Sequence, residues 1–257
     1  MNFEVAYCTE VGARKSVNQD SLYIKQVKVQ GQNVLLAVIC DGMGGLAQGE
    51  LASATVVRDF DKWFAEEFVT RYKEEQQNLI KEEWITLLKN ANEKILDYGK
   101  NKGIQLGTTA TAVLLFDDGH YLIVHIGDTR VYFVNSEKIH QITEDHTYVA
   151  REVKLGHMTK DEAEQDSRRN VLIQCVGAVE ILEPAIYEGM LARNCYLLLC
   201  SDGFRHKYRE EEIQKVLSEN FEQMNRESMY CFLRTATDIC MQRGENDNIS
   251  SVLIKVS

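Results

Sequence analysis

One short segment limits this chain more than any other. Val34-Leu35-Leu36-Ala37-Val38-Ile39-Cys40 is apolar without a break, and it stops at Asp41-Gly42-Met43-Gly44-Gly45. A short run, partly β-branched and bounded by glycine, reads as a buried strand. A carboxylate at the strand's end, followed by backbone that can approach closely, is one way a fold offers a hard oxygen ligand to a metal. The same residues also suit a tight turn, because Asp-Gly is the commonest hairpin dipeptide.

The device recurs. Cys195-Tyr196-Leu197-Leu198-Leu199-Cys200-Ser201 closes on Asp202-Gly203, and Tyr121 to Ile126 closes on Gly127-Asp128-Thr129-Arg130. Asp247-Asn248 and Asn18-Gln19-Asp20 instead precede apolar runs. Antiparallel strands can bring such starts and ends to one rim of a sheet. The segment after Asp202 is charged with a helical period from Arg209 to Leu217, so Asp202-Gly203 is not a hairpin turn.

The remaining pattern predicts strands over 3–9, 21–29, 33–40, 108–116, 120–126, 130–135, 171–176, 184–190, 194–201 and 249–256. Helices are predicted over 48–69, with Val57, Phe60, Phe64 and Phe68 on one stripe, and over 78–99, 209–218 and 226–242. Residues 144–170 are polar and irregular, apart from a capping box at Thr159-Lys160-Asp161-Glu162 that starts a short helix. Strand groups alternating with helix pairs give an α+β fold of antiparallel sheets flanked by helices. A single proline and no low-complexity linker favour one domain over 1–257.

The net charge of −10 argues against nucleic acid or an anionic membrane as partner. No apolar stretch approaches the ~20 residues that span a bilayer. Met1-Asn2-Phe3-Glu4 lacks a basic n-region, so no signal peptide is expected. The seven cysteines are scattered and without zinc spacing. Cys40, Cys195 and Cys200 fall in apolar runs as core residues. A reducing, cytoplasmic setting is expected.

Gly42-Met43-Gly44-Gly45-Leu46-Ala47 also matches G-x-G-x-x-A, and Asp61 follows about 20 residues on, as in a dinucleotide-binding oxidoreductase. Asp41 would then face a pyrophosphate, and Asp61 lies in a helical stripe rather than at a second parallel strand's end. Four or five aspartates meeting in one pocket need a cation to stay ionised. Oxygen-only ligation suits Mg²⁺ or Mn²⁺, and the natural chemistry is hydrolysis of a phosphate ester. Arg14 is the first candidate to hold the phosphoryl oxygens.

The ordered set Gly12-Ala13-Arg14, Asn18-Gln19-Asp20, Asp41-Gly42-Met43-Gly44-Gly45, Gly107-Thr108-Thr109-Ala110, Gly127-Asp128-Thr129-Arg130, Thr143-Glu144-Asp145-His146, Ser201-Asp202-Gly203 and Asp247-Asn248-Ile249-Ser250 spans nearly the whole chain. It resembles the metal-dependent protein serine/threonine phosphatases of the 2C type, in their bacterial version. The resemblance implies a β-sandwich of two antiparallel sheets with helices on both sides (α/β/β/α) and two Mn²⁺ or Mg²⁺ ions at one end. By motif position, Asp41 bridges both ions, the Gly42 carbonyl binds one, Asp202 and Asp247 complete the other, and Asp20 acts directly or through water. Asp128 and Thr129 match a mainly structural segment, and residues 144–170 match a flap beside the site. Phosphorylated proteins would be the substrates and a serine/threonine kinase the counterpart.

The chain departs from that family at several positions. Five residues before Asp20, where the family has its phosphate-binding Arg, stands Lys15, with Arg14 one earlier. Either Arg14 reaches the phosphate or Lys15 replaces it as a point charge. Ile104 and Gln105 stand where the resemblance suggests an Asp for a third metal, which argues against that metal. Met43 replaces the His of eukaryotic members. The cluster Arg205-His206-Lys207 is either a draw for phosphorylated substrate or a solvated helix start. His146 is expected to be a structural hydrogen-bonding residue. These departures leave a pseudophosphatase, a binding module without turnover, as the rival reading.

Overall fold

The computed structural model describes residues 1–43, 48–71, 77–219, 221 and 224–257; the side chains of 77 and 78 are not described. Gly44 to Ala47, the second half of the glycine-rich segment, lie outside the described residues. In chain order the elements are β1 (Phe3–Glu10), β2 (Asp20–Val29), β3 (Gln32–Met43), α1 (Gly49–Lys62), α2 (Val69–Arg71), α3 (Gln77–Lys102), β4 (Gly107–Thr108), β5 (Ala110–Phe116), β6 (His120–Ile126), β7 (Arg130–Val134) and β8 (Ile139–Gln141). Then follow α4 (Tyr148–Lys154), α5 (Lys160–Gln165), β9 (Ala185–Met190), β10 (Cys195–Cys200), α6 (Asp202–Arg205), α7 (Glu210–Glu219), α8 (Arg226–Gln242) and β11 (Ile249–Val256).

Two antiparallel sheets result. One has the order β1-β11-β10-β7-β8; the other has β2-β3-β5-β6-β9, with β4 paired to the end of β3. The central strands are buried on both faces, and their period of two assigns each residue to a layer. Val34, Leu36, Val38 and Cys40 of β3 pack with α1 and α3, whereas Leu35, Ala37 and Ile39 face the other sheet. Leu197 and Leu199 of β10 and Val252 and Ile254 of β11 meet them from across the sandwich. The outer face of β10 and β11, with Leu198 and Leu253, is covered by Ile213 and Leu217 of α7 and Phe232 and Leu233 of α8. The order of layers is therefore helices, sheet, sheet, helices, as the resemblance implied.

All described strand pairs are antiparallel, which excludes the parallel βαβ unit of a dinucleotide fold. Asp61, the supposed ribose acid, instead accepts a 2.7 Å hydrogen bond from the Tyr23 hydroxyl on the helical side. No helix among the described residues is long and apolar enough to cross a membrane.

Several elements differ from expectation. The helix predicted over 48–69 has a π-helical turn at Trp63–Phe68. The wider turn brings Trp63 into the core beside Phe60, Phe64 and Phe68, and Val57 is left at its margin. Residues 171–176 form no strand; Leu172 and Val176 make only isolated bridges to Thr147 and Thr108. The segment 144–170 holds the helix predicted at Thr159, with its capping box formed, and also α4, capped by Thr147. Finally, β3 does not stop at Asp41. It continues through Gly42 and Met43, which pair with Thr108 and Gly107.

Candidate active site

The strand period explains how the aspartates meet. Asp41 shares the parity of Leu35, Ala37 and Ile39, so it faces the second sheet at the rim of the sandwich. Asp20, the first residue of β2, lies directly opposite Asp41 in the β2–β3 register. From the other sheet, Asp202 opens α6 at the end of β10, and Asp247 lies just before β11. The charges of Asp202 and Asp247 act on both Asp20 and Asp41, so the four carboxylates share one field.

Backbone contacts fix each position. The main-chain N–H of Asp41 donates to Thr109 Oγ1 at 2.8 Å, and its carbonyl accepts from the Thr109 N–H at 2.9 Å and from Thr108 Oγ1 at 3.0 Å. This clamp gives Gly107-Thr108-Thr109 a role that its sequence did not announce. Gly42 admits no side chain, since a Cβ there would lie 2.3 Å from the Gly49 carbonyl oxygen and 2.5 Å from that of Gln19. Asn248 ties the loop before β2 to the site: its Oδ1 accepts from the Gln19 N–H at 3.0 Å, and its Nδ2 donates to the carbonyls of Val11 and Val17. Glu245 accepts from the N–H groups of Asn246 and Asp247 at 2.7 and 3.0 Å. Burial would raise Glu245, but His206 and those two donors outweigh it and hold the carboxyl down at about 2. Asn248 was read only as part of the Asp247 motif and given no role, and Glu245, two residues before Asp247, was not singled out.

The electrostatics call for a cation. Both carboxylate oxygens of Asp20 and Oδ1 of Asp202 are buried without a hydrogen-bond donor. Burial raises Asp20 to about 7, with the Asp202 charge adding to it; the nearby Ser250 and Ser201 hydroxyls offset part of this without reaching hydrogen-bond geometry. Asp41 is raised well above the ordinary carboxylate value, by burial first and then by Asp20 and Asp202. Orphaned carboxylate oxygens in an oxygen-only donor set fit a hard divalent ion. Among the described residues, no three acidic, His or Cys side chains are already drawn around one point. Asp247 instead accepts from Lys15 Nζ at 2.8 Å.

The two phosphate-binding candidates differ in their contacts. Burial would lower Lys15, but its hydrogen bond to Asp247 and the charges of Asp247, Asp41 and Asp202 prevail and raise it. Arg14, exposed like Lys15, forms no ion pair with a described residue. Within the basic cluster after Asp202, Arg205 and His206 are engaged by carboxylates rather than free to draw substrate. Arg205 is largely covered and pairs with Asp128 at 2.8 Å, and His206 stands 3.8 Å from Asp202 and 3.7 Å from Glu245. His146 is structural, as expected: Nδ1 accepts from the Gly127 N–H at 3.3 Å.

A family model described as protein phosphatase 2C matches residues 10–236. The chain belongs to the protein phosphatase 2C family. This phosphatase is 27% identical over 255 residues to the protein phosphatase PhpP of Streptococcus pneumoniae, covering 99% of this chain and 98% of that one. Its fold matches the serine/threonine phosphatase of S. agalactiae with a TM-score of 0.85 at 28% identity, covering all of both chains. It also matches the catalytic domain of the phosphatase PstP, solved in complex with two manganese ions, with a TM-score of 0.77 at 25% identity over 99% of this chain and 98% of that one.

Proposed function

We propose that this phosphatase hydrolyses phosphoserine and phosphothreonine in proteins, using divalent cations held by Asp20, Asp41, Asp202, Asp247 and the Gly42 carbonyl. The observation that carries the site is the pair of buried, donorless Asp20 oxygens facing Asp41 across the β2–β3 register. Two Mn²⁺ or Mg²⁺ ions bound there would acidify a water and offset the charge that gathers on the phosphoryl oxygens. The chain's own contribution is to hold the carboxylates in place through the Thr108–Thr109 clamp and the Asn248 and Glu245 tethers. Lys15 supplies a cation for the phosphate from the same rim. Ile104 and Gln105 offer no carboxylate where a third metal would need one. A serine/threonine kinase is the natural counterpart, and the seven unpaired cysteines support a cytoplasmic setting.

Hydrolysis of an aryl phosphate and of a phosphothreonine peptide, measured with Mn²⁺ and with chelator, tests the reading. Turnover is expected only with metal. Metal binding without turnover would establish the pseudophosphatase instead. Within the same assay, Lys15→Met is expected to lower kcat/KM about tenfold by removing a charged phosphate contact, with Arg14→Met close to wild type. The opposite ranking would assign the phosphate to Arg14.

A further inference from the structure

Beside the carboxylate rim lies a buried ionic network that no step above requires. Arg205, the last residue of α6, donates from Nη2 to Asp128 Oδ2 at 2.8 Å and from Nε to the Asp128 carbonyl at 3.3 Å. The same Nη2 lies 3.7 Å from Asp145 Oδ2. Asp145 in turn accepts a two-pronged grip from Arg130, Nε at 2.9 Å and Nη2 at 2.7 Å, and a further bond from Gln141 Nε2 at 3.0 Å. Arg130 Nη1 donates to the Tyr132 hydroxyl at 2.8 Å. Two guanidinium and two carboxylate groups thus balance largely shielded from water, an arrangement that is weak evidence for stability and better suited to fixing geometry.

Its two ends matter. Arg205 closes the single-turn helix that Asp202 opens, so a grip on Arg205 sets how that helix sits on β10. Asp145 stands where the segment 144–170 leaves the sheet, one residue before His146, whose N–H donates to the Gly127 carbonyl at 2.7 Å. Lysine at 205 could not hold Asp128 and Asp145 together with the same planar fork.

We propose that Arg205 is a positioning residue that locks the Asp202 helix to the base of segment 144–170 through Asp128 and Asp145, so that the ligand carboxylate and this segment move as one body. The inference rests on the reading of Asp202 as a metal ligand for its metal arm only. Its test uses the full chain with Arg205→Met and Arg205→Lys. Amide exchange is followed in chelator over 146–155 and 202–208, and Mn²⁺ affinity is measured by calorimetry.

Arg205→Met is expected to speed exchange in both segments together and to weaken Mn²⁺ binding about tenfold, the usual effect of losing a ligand's supporting partner. Arg205→Lys is expected to fall between Met and wild type. Unchanged exchange, or a rise in only one segment, would overturn the lock, and Mn²⁺ affinity within about twofold of wild type, with Asp202→Ala weakened, would overturn its effect on the ligand carboxylate. If Arg205→Met does not fold, Arg205→Lys decides on the same criteria. Asp202→Ala separates the two ideas: wild-type Mn²⁺ affinity there removes the ligand reading, while the exchange result still judges the lock.

Discussion

Asp41→Asn is expected to lower metal-dependent kcat/KM by at least about 10²–10³-fold, more than the loss of a ligand's outer partner. Asparagine keeps the size of the side chain, and the Thr108–Thr109 clamp holds only the backbone, so the strand has no reason to move. What disappears is the charge between the two sheets. The same change is expected to raise thermal stability in chelator, because it deletes a desolvated carboxylate. Asp20 and Asp41 both sit above the ordinary carboxylate value, Asp20 at about 7. Through these two carboxyls the folded state holds protons that the unfolded chain has lost from about pH 4 upward, so their contribution to metal-free stability falls as pH rises toward 7, while His125 and His146, both lowered by burial, act the opposite way below about pH 6.5. Thermal melts across that window, with chelator and with Mn²⁺, check the claim. Near wild-type activity in Asp41→Asn, or the same metal-free pH dependence of stability in Asp41→Asn and wild type, would count against the assigned role.

Trp84→Ala is expected to cost about 3–5 kcal/mol, enough to lower Tm by roughly 10 °C in a chain of this size. Trp84 is fully buried, with Phe60 edge-on at 5.5 Å and Trp63 edge-on at 5.4 Å. It joins α3 to α1 on the outer face of the β2–β3 sheet, and its rigid neighbours leave little to collapse into the space. Trp84→Phe refills part of that volume and is expected to lose less than half as much. Denaturant melts of the two variants give the comparison. Kinetic constants are expected to stay near wild type, since this aromatic cluster lies behind the sheet from the aspartates.

The central strands were legible because burial on both faces leaves an unbroken apolar run, and the chemistry was legible because carboxylates interrupt such runs rarely. What could not be read depends on partners distant in sequence. The extension of β3 past Asp41 requires Gly107 and Thr108, 60 residues and more downstream, to supply the pairing. Residues 171–176 have strand composition, yet the neighbouring strand edges leave Leu172 and Val176 single bridges only. The π turn at Trp63 was hidden because the stripe of Phe60, Phe64 and Phe68 already satisfies an ordinary helix. Arg205 resembled a surface charge until the fold supplied Asp128 and Asp145 from the other side of the chain. Lys15 beside Asp247 rests on the loop that Asn248 holds, a tertiary tether with no local signature.

The division of the aspartates between sheets carries a mechanical consequence. Asp20 and Asp41 belong to one layer, Asp202 and Asp247 to the other, and apolar packing continues between them only as far as Ile39, Leu199 and Val252. Beyond those residues the two layers meet through carboxylates rather than apolar side chains. Ions held jointly by carboxylates of the two layers would tie the layers together at this rim. Metal occupancy and the gape of the sandwich then become one coordinate, and this rim is where the molecule would first open when the ion is withdrawn.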